Sequence, residues 1–149
     1  MSKDFYWGAA TSAHQVEGGN HNNWSEWEEK KGLERSGRAA EHYHRFEEDF
    51  DIAKSLGHNA HRFSLEWSRI EPEEGNFNEK EIGHYRAVIR ALRERGLEPF
   101  VTLWHWTTPL WFRDQRDWLS PQAPFYFARF AERMAKEFPD VTYWTTLNE

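Results

Sequence analysis

Apolar residues recur along this chain with two alternating periods. Between Glu41 and Leu56, Tyr43, Phe46, Phe50, Ala53 and Leu56 return at steps of three and four, with Glu47, Glu48, Asp49 and Lys54 on the other side. That spacing predicts one amphipathic helix, stopped by Gly57. A second helix is predicted from Glu79 to Arg95, with Ile82, Tyr85, Val88, Ile89 and Leu92 on one face. Asn78 reads as its N-cap, Glu81 stands at the capping-box position, and Gly96 ends it. A third begins with Ser120 as cap and Pro121 at the first helical position, carries Phe127, Phe130, Met134 and Phe138 inward, and closes at Pro139.

Strand candidates lie before, between and after these helices, around Phe5 to Gly8, His61 to Trp67, Glu98 to Trp104 and Thr142 to Leu147. The second alternates Arg62, Ser64 and Glu66 against Phe63, Leu65 and Trp67, a period of two. Strands separated by helices of this length imply right-handed crossovers and a parallel sheet. The predicted order is therefore βαβαβαβ, an α/β chain of four parallel strands and three main helices, read as a single domain over residues 1–149. There is no internal repeat and no low-complexity tract. Gly18 to Arg38, polar and rich in tryptophan, reads as a long loop.

Composition narrows the functional classes. A formal net charge of −6 and a pI near 5.8 repel a phosphate backbone, so nucleic acid is not expected as a partner. Without cysteine there is neither a disulfide nor a thiolate metal site. Among the 8 histidines, His42 and His44 are two apart on a helix and do not face each other, and His58 and His61 bracket a strand start on opposite sides. Neither pair has zinc spacing, and no metal or cofactor is expected. No apolar run reaches membrane-spanning length. Met1 to Phe5 lead directly into the first motif with no room for a leader, which reads as a soluble, cytoplasmic protein. The 9 Trp, 5 Tyr and 11 Phe mostly suit a core, with Trp106, and Trp104 as a further candidate, set aside for a pocket wall.

Four stretches carry more specific information. Phe5-Tyr6-Trp7-Gly8-Ala9-Ala10-Thr11-Ser12-Ala13-His14-Gln15-Val16-Glu17-Gly18 opens the chain, and Asn59-Ala60-His61-Arg62-Phe63-Ser64-Leu65-Glu66-Trp67-Ser68-Arg69-Ile70 follows. Thr102-Leu103-Trp104-His105-Trp106, with Pro109-Leu110-Trp111, comes third, and Tyr143-Trp144-Thr145-Thr146-Leu147-Asn148-Glu149 is last. In this order and at this spacing they resemble, over the whole chain, the first four barrel strands of the family 1 glycoside hydrolases, the retaining β-glucosidases and their relatives.

The resemblance implies a partial (β/α)8 barrel, since a complete one takes about 250 residues. It implies that Glu149 is the general acid/base and that Asn148 holds the sugar 2-hydroxyl. It makes His105 a donor to the 3-hydroxyl, with the Trp106 indole N–H beside it, and makes Gln15 a ligand of the 3- and 4-hydroxyls. Arg62 is implied to hydrogen-bond the nucleophile, the second carboxylate, which such an enzyme takes from a later strand. Arg62 is then expected to be an uncompensated charge unless water or another carboxylate answers it. A retaining enzyme needs the two carboxyl groups about 5–5.5 Å apart, so these residues alone are expected to be catalytically incomplete. The implied ligand is a β-linked glucoside or related sugar, and the implied partner is a second copy or a complementary carboxy-terminal half. Without the family context, Glu149 would read as a solvated glutamate, Asn148 as a strand-end residue and His105 as a packed core histidine.

Overall fold

The computed structural model describes residues 5–149, and Met1 to Asp4, read above as leaving no room for a leader, lie outside the described residues. The chain runs β1 (Gly8–Ala10), α1 (Ala13–Val16), α2 (Asn23–Lys31), α3 (His42–Ser55), β2 (Ala60–Ser64), α4 (Trp67–Ile70), α5 (Glu79–Glu94), β3 (Glu98–Trp104), α6 (Leu110–Asp114), a 3-10 turn (Asp117–Leu119), α7 (Ala123–Glu137) and β4 (Tyr143–Leu147). All three pairings are parallel and the sheet order is β1-β2-β3-β4, so these are four successive β/α units of a barrel with β1 and β4 at the open edges.

The three predicted helices are present and bury the predicted faces. Ile82, Tyr85, Val88, Ile89 and Leu92 of α5 are buried, as are Phe50 and Ala53 of α3 and Phe130 and Met134 of α7, packed with Phe63, Leu65, Val101 and Leu103 from the sheet side. Trp67 sits at the centre of this core, 4.9 Å from both Phe112 and Phe130 between ring centroids. Among the described residues no helix is long and apolar enough to cross a membrane.

Several local expectations are corrected. The segment Gly18 to Arg38 is not one loop: Asn22 Oδ1 accepts hydrogen bonds from the backbone N–H groups of Trp24 and Ser25, Ser25 Oγ accepts from the Asn22 N–H, and this capping box starts α2. The first strand begins at Gly8, not Phe5, and β2 ends at Ser64, because the chain after Glu66 turns into α4. Asn78 does cap α5, but Glu81 closes no capping box and instead accepts a hydrogen bond from Tyr43 Oη at 2.9 Å. Helix α7 starts two residues later than Pro121, and Ser120 Oγ accepts from the Gln122 N–H in the preceding turn. Leu56 is exposed, beyond the end of the α3 face.

Candidate active site

The carboxyl ends of the four strands surround one cavity of about 740 Å³, and all six residues singled out from the sequence line it: Gln15, Arg62, His105, Trp106, Asn148 and Glu149. Gln15 comes from α1, just after β1. Arg62 rises from β2, His105 and Trp106 follow β3, and Asn148 and Glu149 follow β4. Trp104 is not among the lining residues. It is half-buried and packs edge-on to Trp118 at 5.0 Å, so of the two tryptophans set aside for a pocket wall only Trp106 is one.

Two backbone turns bring these side chains to a common rim. Along a strand, neighbouring side chains point to opposite faces, so Asn148 and Glu149 could not both enter one cavity from a continuing strand. They do not continue it: β4 ends at Leu147, the Asn148 N–H donates to the Trp104 carbonyl, and Glu149 has φ +63°. Trp106 makes the same departure after β3, with φ +71° and the Thr107 N–H donating to the His105 carbonyl at 2.9 Å. Left-handed backbone at non-glycine residues is a cost that clusters where a side chain must be aimed.

A hydrogen-bonded chain connects three of the six. Arg62 Nε donates to Thr102 Oγ1 at 2.8 Å and its Nη2 donates to Asn148 Oδ1 at 2.5 Å. With its oxygen turned to the guanidinium, Asn148 presents Nδ2 to His105 Nε2, 3.3 Å away, which must then be the unprotonated nitrogen. His105 Nδ1 carries the proton and is buried with no partner among the protein groups. Burial first, then the positive charge of Arg62, lowers the His105 pKa against the opposing pull of Glu149, so the ring is neutral near pH 7. Among the described residues the acceptors of Arg62 are two neutral oxygens, those of Thr102 and Asn148, and neither is a carboxylate.

The α1 segment is held just as firmly. Its entry is pinned to β2 by Thr11 N–H to the Arg62 carbonyl at 2.9 Å and by Ala13 N–H to Ser64 Oγ at 2.8 Å. Ser12 Oγ donates to Gln15 Oε1 at 2.8 Å, which leaves the Gln15 amide NH2 for other partners. Beneath it, Glu17 is buried and accepts from Tyr85 Oη at 2.8 Å and Arg69 Nε at 3.0 Å. Burial pushes its carboxyl up to about 7 against the attraction of Arg69.

Sequence reasoning missed part of the wall. His14, Trp24, Glu28 and Ser36 also line the cavity. Asn22 Nδ2 donates to His14 Nδ1 at 3.1 Å, which leaves His14 Nε2–H for Glu28 Oε1 at 3.1 Å, and Ser36 gives Glu28 both its N–H and its Oγ–H. Burial would raise the Glu28 pKa, but the donors from Ser36 and His14 outweigh it and the net direction is down, toward a fixed carboxylate. The signal for this wall was the polar cap at Asn22 to Ser25 and the Lys30-Lys31-Gly32 stop, which mark a helix without an apolar face.

A parallel sheet whose polar side chains gather at the strand ends, with two carboxylates, a neutral histidine and exposed indoles around one cavity, has the arrangement of a barrel-type ligand site. The glycosyl hydrolase family 1 model matches residues 1–149, and the chain belongs to that family. It is similar to beta-glucosidase A of Acetivibrio thermocellus, 36% identical over 99% of this chain and 36% of the relative. It is also similar to a 6-phospho-beta-galactosidase of Lacticaseibacillus casei, 35% identical over the whole chain and 33% of the relative. The solved beta-glycosidase from Pyrococcus horikoshii superposes with a TM-score of 0.92 and 40% identity, over the whole chain and 36% of that structure. The chain thus spans about a third of the length of the curated relatives it matches.

Proposed function

We infer that this chain carries the glycone-binding and proton-donating side of a retaining β-glycosidase. Glu149 is the general acid/base, Asn148 takes the sugar 2-hydroxyl, His105 and Trp106 the 3-hydroxyl, and Gln15 the 3- and 4-hydroxyls. The observation that supports this reading is the convergence of all six residues, from four separate strand ends, on one cavity. Arg62 stands ready for a second carboxylate, because its present acceptors, Thr102 and Asn148, are both uncharged. That nucleophile is not among the residues placed here, so the four strands alone bind sugar without turning it over. A partner polypeptide bringing the remaining strands, or a second copy meeting the free edges of β1 and β4, would complete the ring.

The reaction then follows the two-carboxylate course. The nucleophile attacks the anomeric carbon while Glu149 passes its proton to the departing oxygen; Glu149, now ionised, takes a proton from the water that releases the sugar. In a polypeptide that supplies the remaining strands, Glu149→Gln should slow cleavage of an alkyl β-glucoside at least about 1,000-fold, within or beyond the span usual for general acid catalysis. Formation of the glycosyl intermediate from a dinitrophenyl β-glucoside, whose leaving group needs no proton, should be nearly unchanged. Equal loss with both leaving groups would exclude Glu149 as the proton donor.

A further inference from the structure

Glu66, just past β2, is fully buried and lies outside the candidate cavity. The buried Glu17 and Glu71 are each paired with an arginine, Arg69 and Arg129. Among the described residues, Glu66 is met instead by hydroxyls: Ser68 Oγ donates to Oε1 at 2.7 Å, and Thr107 Oγ1 lies 2.9 Å from Oε2 and 3.2 Å from Oε1. A carboxyl group taken out of water with no cation beside it is costly, and an apolar side chain of similar size would pack there at less expense. What Glu66 holds explains its presence. Thr107 directly follows Trp106, whose left-handed backbone turns the chain after β3 into the cavity. The next residue clamps that turn to α2, by Asn23 N–H to the Thr108 carbonyl at 3.1 Å and by Thr108 N–H to Asn23 Oδ1 at 2.8 Å.

The same network reaches the opposite wall. The Glu66 N–H donates to Tyr85 Oη at 3.0 Å, and Tyr85 Oη donates to Glu17 Oε1 at 2.8 Å. Glu17 stands two residues after Gln15, and Arg69 takes its other oxygen at 3.0 Å while also donating to the Gly18 carbonyl. Glu66 and Tyr85 therefore join the segments that follow β1, β2 and β3, and neither lines the cavity. We propose that Glu66 and Tyr85 are positioning residues for the rim, Glu66 fixing His105 and Trp106 through Thr107 and Tyr85 fixing Gln15 through Glu17. The proposal rests on the glycone reading of the cavity and adds to it the groups that hold its two walls at a set separation. A fully bonded buried network holds side chains to within about 0.5 Å, which packing of apolar groups alone does not ensure. Misplacement by about 1 Å is enough to forfeit much of a site's function.

Calorimetric titration of the glucose-configured inhibitor 1-deoxynojirimycin into the unaltered chain, Tyr85→Phe, Glu66→Gln, Thr107→Val and Thr107→Ser tests this. Fluorine NMR of the same proteins labelled with 5-fluorotryptophan follows the rim directly, with the Trp106 resonance assigned from Trp106→Phe. The Kd should rise at least about fivefold in the first three variants and stay within about twofold in Thr107→Ser, which keeps the hydroxyl on Glu66. The Trp106 resonance should move in Glu66→Gln and Thr107→Val but not in Thr107→Ser. In Tyr85→Phe combined with Glu66→Gln the loss should be smaller than the product of the two single losses, because the residues act through one network. If a buried variant does not fold, the Thr107 pair decides. Affinities within twofold throughout, or a Trp106 resonance unmoved in Glu66→Gln and Thr107→Val, would overturn the positioning role and leave the glycone reading standing. No binding to the folded unaltered chain would sink the glycone reading, and the Trp106 resonance would then decide the positioning role by itself.

Discussion

At the scale of single residues, the arrangement is governed by which charges are answered and by what. His61 is buried, its Nδ1 has no partner among the protein groups, and its Nε2 lies 3.2 Å from Thr11 Oγ1. Burial, then the neighbouring His42 and His58, pushes its pKa down to about 4 against a weaker opposing effect of Asp49. The folded chain therefore holds the ring neutral, whereas the unfolded chain protonates it near pH 6.5. The stability this contributes is present above pH 6.5 and is lost as pH falls through 4, up to about 3 kcal/mol. His61→Phe should flatten the fall in unfolding free energy between pH 7 and pH 4, measured by urea titration at each pH; His84, also pushed down to about 4 mainly by burial, keeps part of the slope. An unchanged slope would contradict the assignment. At this scale the family resemblance was informative: it pointed to six residues that line the cavity, but not to the neutral answer to Arg62, because Thr102 and Asn148 reach it from β3 and from the end of β4 and only the parallel register brings them together.

At the scale of elements, helices with an apolar period were legible and a helix held by polar contacts alone was not. Helices α3, α5 and α7 each bury an apolar face, so the spacing of Phe, Ile and Leu announced them. Helix α2 buries no residue; it is held by Asn22, by the clamp to Thr108 and by ion pairs, none of which leaves an apolar period. The segment around it is tied down at Gly18, which has φ +81° and packs against the Arg38 backbone, while its carbonyl accepts from Arg69. Gly19 has φ +66° with open space around it. Gly19→Ala should therefore cost only the left-handed backbone penalty, about 1 kcal/mol, whereas Gly18→Ala should cost about 3 kcal/mol or more through the added clash. Equal losses for the two, read from denaturant midpoints, would show that the Gly18–Arg38 approach is not tightly held.

At the scale of the whole molecule, the described residues form one parallel four-stranded sheet whose strand ends share a single rim. Four strands in the order β1-β2-β3-β4 leave two free edges, and the chain covers about a third of the length of the relatives it matches. These residues form a hydrogen-bonded cavity wall centred on Asn148, which accepts from Arg62, faces His105 and stands next to Glu149. The most direct test is calorimetric titration of a glucose-configured inhibitor, 1-deoxynojirimycin, into the unaltered chain and into Asn148→Ala, with thermal melts of both. Binding in the unaltered chain that weakens at least tenfold in Asn148→Ala, at a melting temperature within a few degrees, is the predicted result. Equal affinity in the two proteins, or no binding to a folded unaltered chain, would contradict the assignment of this rim to the sugar.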